Sequence, residues 1–334
     1  MTHPGLTGLM KSLSLPRNVA WRIAMAALGV LTATTGARAQ KPTPEEIRIH
    51  TEDVTRYLGT VPALRRARTY NDSAALIFTR YYLPATPGLR SFIRDRVGSP
   101  FELLDQMQSR PGYYAHLPRS LREVGTSRSS ILAAFRRFEQ LYPDAVFTDV
   151  YFVVGRMNSG GTTTPGMIVI GAEMYAKDSE APSSELNEWE LAVLRDTSLL
   201  TTIAVHELMH INQPPASGPR TLLRQSLIEG GADLVAELVT GRNINAHVHA
   251  WANPREGALW EEFRGRMEGT SMAGWLYDSR PRDRPADLGY WMGYRIARAY
   301  YDRASDKARA IRDILTVTDP AEFLRRSGYQ PSGS

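Results

Sequence analysis

Residues 199–214 read LLTTIAVHELMHINQP, with the pentapeptide His206-Glu207-Leu208-Met209-His210 at the centre. The run is rich in apolar residues and lacks glycine before its closing proline, so we predict a helix over 197–211. Residues four apart lie nearly above one another on an α-helix, which places His206 and His210 on one face. Glu207 is rotated by about 100° from His206 and lies beside that face.

Two histidines at this spacing are typical of a metal site. Imidazole nitrogens on successive turns can reach one zinc ion at roughly 2.0–2.1 Å. The glutamate between them is then placed to act on a water molecule, not on the metal. We predict that His206 and His210 are zinc ligands and that Glu207 is the general base of a hydrolase. On these residues alone, the alternative is a helix whose two histidines face solvent or form hydrogen bonds in the core.

A catalytic zinc ion usually has three protein ligands and one open position. The predicted helix over 221–239 supplies the candidate Glu229, which follows His210 by enough residues for a turn and an antiparallel return helix. Asp233, one turn later on the same face, can accept the second N–H of a ligand imidazole. Without the preceding pentapeptide, both acids would read as residues of a solvated helix face.

Gly230 and Gly231 interrupt this helix at an intrinsic cost of roughly 1 kcal/mol per glycine. Two adjacent glycines inside a helix need a structural reason. With Ala232 they would allow a close approach of another helix, and we expect the metal helix to be that neighbour.

The pattern His206-Glu207-x-x-His210 followed by Glu229-Gly-x-Ala-Asp233 resembles the gluzincin metallopeptidases, in which a downstream glutamate completes the metal site. The segments LIEGGADLVAEL and GYWMGYRIARAYYDR resemble a group of bacterial predicted zinc-dependent proteases that is loosely related to the gliding-motility lipoprotein B group. The resemblance is specific over 195–330 and vague over 41–145. It implies an α+β, predominantly helical fold: a zincin-like domain with a small β-sheet or hairpin beside the active-site helix.

The resemblance also implies the roles of the site residues. Zinc would be held by His206, His210 and Glu229, with Glu207 as the base and Asp233 behind a ligand imidazole. Zinc lowers the pKa of bound water toward roughly 7 and polarises the scissile carbonyl. Glu207 would take the water proton and pass it to the leaving amine.

A further donor should stabilise the tetrahedral oxyanion. Tyr294 is the first choice because it falls within the resemblance. The other candidates are Tyr290, Arg295, His247 and His249. Packing of these tyrosines in the core remains the alternative for each of them.

Residues 1–40 contain basic residues, no acid, an apolar run after Arg22 and Ala37-Arg38-Ala39 before Gln40. This pattern predicts a secretory signal peptide, with an uncleaved N-terminal anchor as the alternative. We therefore expect a bacterial periplasmic or extracellular protein without a stable membrane span after cleavage. The segment has no lipobox cysteine, so lipoprotein anchoring is not supported.

Composition excludes several classes of function. Four of the 40 lysines and arginines lie in the leader, and the remainder nearly balances the 35 acidic residues. This balance, with no basic run, argues against a nucleic-acid partner. The chain has no cysteine, so it has neither disulfides nor a thiol nucleophile.

We predict a helical N-terminal lobe over 41–145 and a catalytic domain over 146–330. Within the latter, 145–156 and 166–175 read as strands separated by a loop over 157–165, and an extended peptide substrate could add to their edge. A structural hairpin is the alternative reading of these strands.

Two rival functions remain. A di-iron or di-manganese bundle would need a second Glu-x-x-His motif, which the chain lacks. The other rival is a zincin-fold binding or assembly module of the cell envelope that holds zinc but has little or no peptidase activity. The predicted partner is a peptide or protein substrate, and the oligomeric state is not determined by the sequence.

Overall fold

The computed structural model describes residues 41–215, 218–277 and 284–331, so the signal peptide predicted over 1–40 lies outside the described residues. Residues Lys41–Ser334 form one compact unit. Buried side chains from 41–145 and from 146–330 belong to the same hydrophobic core. No helix in the described ranges has the length and hydropathy needed to span a membrane.

The sheet has four strands in the spatial order β1-β2-β4-β3. They are β1 (Ile49–His50), β2 (Asp149–Val153), β3 (Gly161–Thr164) and β4 (Met167–Gly171). β2 runs parallel to β1 and β4, with Val150 opposite Ile168, and β3 runs antiparallel to β4. β2 and β4 are continuous apolar runs with four buried residues each, as expected for strands covered on both faces. The α+β class with a small sheet is confirmed.

The two predicted strands do not form a hairpin, and the predicted loop between them is not irregular throughout. β2 and β4 are parallel, so the chain must return to the starting edge before β4 begins. Part of this return is β3, which lies inside the segment 157–165 that we read as loop. Its three threonines are β-branched and suit a strand, whereas the flanking glycines favoured the loop reading. Residues Ala172–Tyr175, predicted as strand, form a 3₁₀ turn.

Six α-helices of the described part of the chain precede β2. They are α1 (Glu52–Leu64), α2 (Tyr70–Ile77), α3 (Pro87–Phe92), α4 (Pro100–Ser109), α5 (Pro111–Ser120) and α6 (Ser127–Leu141), with π-helical turns at Phe78–Tyr82 and Ile93–Val97 and a 3₁₀ turn at Leu121–Thr126. α4 begins as its sequence predicts: Ser99 caps the backbone N–H of Glu102, and the Glu102 side chain accepts from the Ser99 N–H.

Between residue 172 and residue 331, the described ranges contain eight further α-helices. They are α7 (Glu188–Val193), α8 (Leu200–Asn212), α9 (Leu222–Thr240), α10 (Ala246–Ala252), α11 (Glu256–Arg264), α12 (Leu288–Arg303), α13 (Lys307–Leu315) and α14 (Pro320–Ser327). α8 carries the pentapeptide. α9 begins at the N-cap Thr221 and ends at Gly241, whose φ of +73° is in the left-handed region that glycine tolerates.

The glycines of α9 allow close helix packing, but their neighbour is not the metal helix. A Cβ on Gly230 would overlap the backbone of α12 at Tyr290, Gly293 and Tyr294, and a Cβ on Gly231 would meet Ile314 of α13. The expectation that they face α8 is therefore wrong. α8 packs on another face of α9, the one that carries Glu229 and Asp233.

The close contact between the backbones of α9 and α12 should not tolerate the addition of a single methyl group. A Cβ on Gly293 would overlap the carbonyl oxygen of Ser226 in α9. We expect Gly293→Ala to lower the free energy of unfolding by about 1–3 kcal/mol, although alanine favours the helix itself. The matched control is Gly59→Ala in α1, where no atom lies within 4 Å of the added methyl. That variant should be stabilised by about 0.4–1 kcal/mol in urea unfolding, and equal responses would contradict the assignment.

A buried carboxylate anchors the segment that leads to β3. Glu173 is 0% exposed, and its Oε1 accepts a hydrogen bond from the N–H of Met157 at 3.2 Å. Its Oε2 has no hydrogen-bond partner among the described residues. Burial raises the pKa of Glu173 to about 7, against the backbone hydrogen bonds that lower it. Met157 has a φ of +58°, so Glu173 holds a strained turn ahead of the edge strand.

This pKa predicts a pH-dependent stability. The folded state binds the Glu173 proton more tightly than the unfolded state, where the ordinary value is 4.5. The contribution of the protonated Glu173 to the free energy of unfolding is therefore complete below pH 4.5 and is lost as the pH rises to about 7. Relative to wild type, Glu173→Gln should gain roughly 2–3 kcal/mol of unfolding free energy between about pH 5 and 8. The exposed Glu268→Gln is the control, and parallel pH profiles for all three proteins would contradict this role.

Candidate metal centre

Helices α8 and α9 bring the three predicted ligands to one point. His206 Nε2 and His210 Nε2 lie 3.1 Å apart. Glu229 Oε2 lies 3.3 Å from His210 Nε2 and 3.6 Å from His206 Nε2. The side chains of His206, His210 and Glu229 are 6%, 19% and 11% exposed. This buried group could hold a metal ion.

Asp233 lies behind the first imidazole, in the position that the sequence predicted. Its Oδ1 is 2.8 Å from His206 Nδ1, and its Oδ2 accepts a hydrogen bond from Asn245 Nδ2 at 2.7 Å. Neither His206 Nδ1 nor Asp233 Oδ1 has another hydrogen-bond partner among the described residues. The carboxylate therefore favours the tautomer with hydrogen on Nδ1, which leaves a lone pair on His206 Nε2.

Gln213 holds the second imidazole in the same way. Its Nε2 donates to the carbonyl oxygen of Ile228 at 2.8 Å, so its Oε1 is the atom that faces His210. His210 Nδ1 lies 2.7 Å from that oxygen and must donate to it. The lone pair of His210 Nε2 is therefore directed toward His206 and Glu229.

Two imidazole Nε2 atoms and one carboxylate oxygen thus converge at one position. Burial opposes ionisation of Glu229, but the adjacent imidazoles hold the pKa of Glu229 well below its usual range. Its Oε1 accepts a hydrogen bond from the Tyr277 hydroxyl at 2.7 Å, while Oε2 has no hydrogen-bond partner among the described residues. Burial opposes protonation of both imidazoles, but the neighbouring carboxylates outweigh it, so the pKa of His206 and the pKa of His210 are raised. The three atoms therefore favour a positive charge among them, which a metal ion can supply in place of a proton. The donor set fits a metal ion.

Glu207 is adjacent to this group but is not part of it. A Cβ on Gly161 of β3 would overlap its carboxylate, so the edge strand passes directly beside it. No described residue forms a hydrogen bond with the Glu207 side chain. Burial raises the pKa of Glu207, and the imidazoles of His210 and His206 partly offset this effect. Glu207 is therefore a carboxylate without a structural partner that can exchange a proton.

A cavity of about 420 Å³ opens beside His206 and Glu207. Tyr290 lines this cavity, and its ring lies nearly parallel to that of His206, with 6.1 Å between the centroids. Its hydroxyl makes no hydrogen bond within the described chain. Tyr290 is thus an available donor beside the metal group.

Tyr294, the first choice for the oxyanion donor, is misplaced for that role. Its hydroxyl donates to Glu237 at 3.0 Å, and it does not line the cavity. Tyr294 follows Tyr290 by one helical turn. Its ring packs against the ring of His249, with 4.5 Å between the centroids. Arg295 is paired with Glu256. Of the other candidates, His247 lines the cavity and His249 does not.

Three supporting residues were absent from the sequence prediction: Gln213, Asn245 and Tyr277. Gln213 carries a local signal, because it follows His210 by three residues in the stretch that contains the pentapeptide. Asn245 and Tyr277 lie 12 and 48 residues from their partners Asp233 and Glu229. Only the packing of their loops against α9 brings them to the site.

Comparison of the chain with known proteins finds no matching protein-family model, no similar curated protein and no similar solved structure. The assignment of this site therefore depends on its geometry and chemistry.

The carboxylate behind His206 gives a quantitative prediction. Asp233→Asn removes the negative charge that raises the basicity of the imidazole, so we expect the affinity for a divalent metal ion to fall about 10- to 100-fold. Titration of the metal-stripped protein with Zn²⁺ and Co²⁺ measures it. The control is Asp302→Asn on the exposed side of α12, where the aspartate pairs only with Arg298. Unchanged affinity in Asp233→Asn would show that the carboxylate does not act through His206.

Proposed function

We propose that this protein is a zinc-dependent metallopeptidase of the gluzincin type. The observation that carries the proposal is the convergence of two Nε2 lone pairs and the Glu229 carboxylate next to Glu207, which has no structural partner. In this proposal His206, His210 and Glu229 hold the metal. Glu207 is the general base.

The spacing of the donor atoms supports zinc. Ligands at roughly 2.0–2.1 Å in tetrahedral geometry lie about 3.3 Å from one another. The three observed separations are 3.1, 3.3 and 3.6 Å. Two imidazoles and one carboxylate are a donor set of catalytic zinc sites, which keep a fourth position open. The cavity beside His206 provides room for it.

Bound zinc would supply Lewis-acid activation of a water molecule and of the scissile carbonyl. The chain's own residues would do the rest. Glu207 takes the proton of the attacking water and donates it to the leaving amine, a transfer worth typically 10²–10⁴-fold in rate. Tyr290 donates a hydrogen bond to the developing oxyanion, a role that the cavity lining favours over Tyr294.

The edge strand supports a peptide substrate. Among the described residues β3 pairs only with β4, and Gly160 and Gly161 line the cavity next to Glu207 without side chains. An extended peptide can pair with such an edge through its backbone, which would bring a scissile bond alongside the metal helix. The combination of α8 and an antiparallel edge strand is the reason for proposing a zincin-like fold. The predicted leader would export this activity from the cytoplasm.

The decisive experiment separates metal binding from catalysis. Wild type should contain about one zinc per chain and cleave members of a mixed peptide library. Glu207→Gln should retain the zinc and lose at least about 10²-fold in kcat/KM, because only the proton transfer is removed. His206→Ala should lose both. The control Glu261→Gln changes an exposed glutamate on α11, paired with Arg264, and should retain both.

Each failure has a distinct meaning. Purified protein that binds no zinc would overturn the metal assignment. Cleavage that is unaffected by Glu207→Gln would overturn the role of the base. Zinc binding without cleavage of any peptide would favour the binding or assembly module.

A further inference from the structure

The cavity beside His206 and Glu207 also has a cation in its lining. Arg195 and His247 line the cavity that contains His206 and Glu207, and they also line a neighbouring groove of about 690 Å³. Lys177 and Arg242 line the same groove. Arg195 and His247 are therefore shared by the cavity and the groove, and the groove has two further basic residues in its lining.

Arg195 is held only by neutral acceptors. Its Nη1 donates to the carbonyl oxygens of Ala192 and Leu194 at 2.7 and 2.9 Å. Its Nη2 lies 2.8 Å from His247 Nε2. Burial and the adjacent Arg195 lower the pKa of His247 to about 4, so at neutral pH the ring is uncharged and accepts this hydrogen bond. These contacts orient the guanidinium, and the carboxylates of Asp196 and Asp287 act on its charge only through space.

No carboxylate compensates this charge by direct contact. Arg195 forms no ion pair with any described residue, and its Nε–H has no acceptor among them. The acids that share the cavity are Glu207, Asp233 and Asp287. Asp233 supports His206, and Asp287 accepts from the Tyr277 N–H at 2.9 Å. A half-buried guanidinium with an unused donor is a binding group for a planar anion.

The neighbouring groove extends the same charge. Lys177 Nζ donates to the carbonyl oxygen of Leu191 at 3.5 Å, and Arg242 Nη1 donates to that of Ser198 at 3.1 Å. Neither forms an ion pair among the described residues. One acid, Asp196, lines this groove, and it accepts from the Ser198 N–H at 2.8 Å. The lining thus has three basic side chains to one acidic side chain.

We propose that Arg195 is a specificity-determining residue that binds a carboxylate of the substrate, so that the preferred substrates are peptides with a carboxylate within its reach. This inference rests on the proposed peptidase function and names its substrate class. His247 and the two carbonyls pre-orient the guanidinium, which reduces the cost of fixing it on binding. The carboxylate has two sources with the same chemistry: an aspartate or glutamate side chain, or the free C-terminus of the peptide.

The test uses quenched fluorescent peptides built on one sequence that the wild type cleaves. In the first arm the C-terminus is amidated, and Glu, Gln or Lys is placed in turn at each of the four positions on either side of the scissile bond. In the second arm the residues are neutral, and the C-terminus is either a carboxylate or an amide. At one position, or at the C-terminus, the carboxylate should raise kcat/KM about 10- to 100-fold over its neutral counterpart, and Lys should lower it.

Variants of Arg195 connect the preference to this residue. Arg195→Met should reduce the carboxylate-to-neutral ratio to near one, and Arg195→Lys should keep part of it, because charge remains while the planar fork is lost. The exposed Arg325→Gln on α14 is the matched control and should keep the full ratio. Zinc content and thermal unfolding confirm that each variant is folded. The ratio is internal to each protein, so a uniform loss of activity does not change it.

Binding provides a readout that does not need cleavage. In fluorescence anisotropy, zinc-loaded Glu207→Gln should bind the peptide with the preferred carboxylate about 10- to 100-fold more tightly than its neutral counterpart. The double variant with Arg195→Met should lose that difference. If wild type cleaves peptides with no carboxylate preference, or if Arg195→Met keeps the preference, the inference is overturned while the peptidase function stands. If nothing is cleaved but the Glu and Gln peptides differ in affinity and that difference depends on Arg195, binding of a carboxylate by Arg195 stands, whereas the peptidase function and the role of Arg195 in its specificity fail.

Discussion

The structure of the site depends on one constraint: two imidazole nitrogens and one carboxylate oxygen must point at a single position from two different helices. α9 meets this constraint because its different faces pack against different helices. Glu229 and Asp233 face α8, whereas Gly230 faces the backbone of α12. The glycine contact sets how deeply α9 lies in the core, and that depth sets the reach of Glu229. A helix held only by side-chain packing would position the carboxylate less exactly, because long side chains can rearrange.

Each ligand is also held from behind. Asp233 and Gln213 fix the tautomers of the two imidazoles, and Tyr277 occupies the Glu229 oxygen that faces away from them. The arrangement is costly without a cation, since lone pairs and carboxylates are gathered where little water can reach them. Binding of a metal ion to the folded protein offsets this cost, and the free energy of metal binding then adds to the free energy of folding.

The cavity lining carries charged groups of both signs. It includes Glu207 and His206, one of the residues that would hold the metal, and also Arg195 against a neutral His247. Gly160 and Gly161, where β3 begins, line it without side chains. A substrate in this cavity would be fixed by its backbone on one wall and selected by its charge on another. These two requirements are independent, so specificity can change without altering the metal group.

Helical periodicity and capping patterns were sufficient to predict features that depend on one short segment of the sequence. The spacing of His206 and His210 places them on one helical face, and Asp233 follows Glu229 by one turn; the cap at Ser99 likewise needs only neighbouring residues. Contacts between distant segments followed only from the tertiary structure. They include the parallel pairing of β2 with β4, the strand β3 inside an apparent loop, the approach of Gly230 to α12, and the choice of Tyr290 over Tyr294. The physical reason is that helical periodicity and capping act over about four residues, whereas strand order and the facing of helices are set by burial across the whole core.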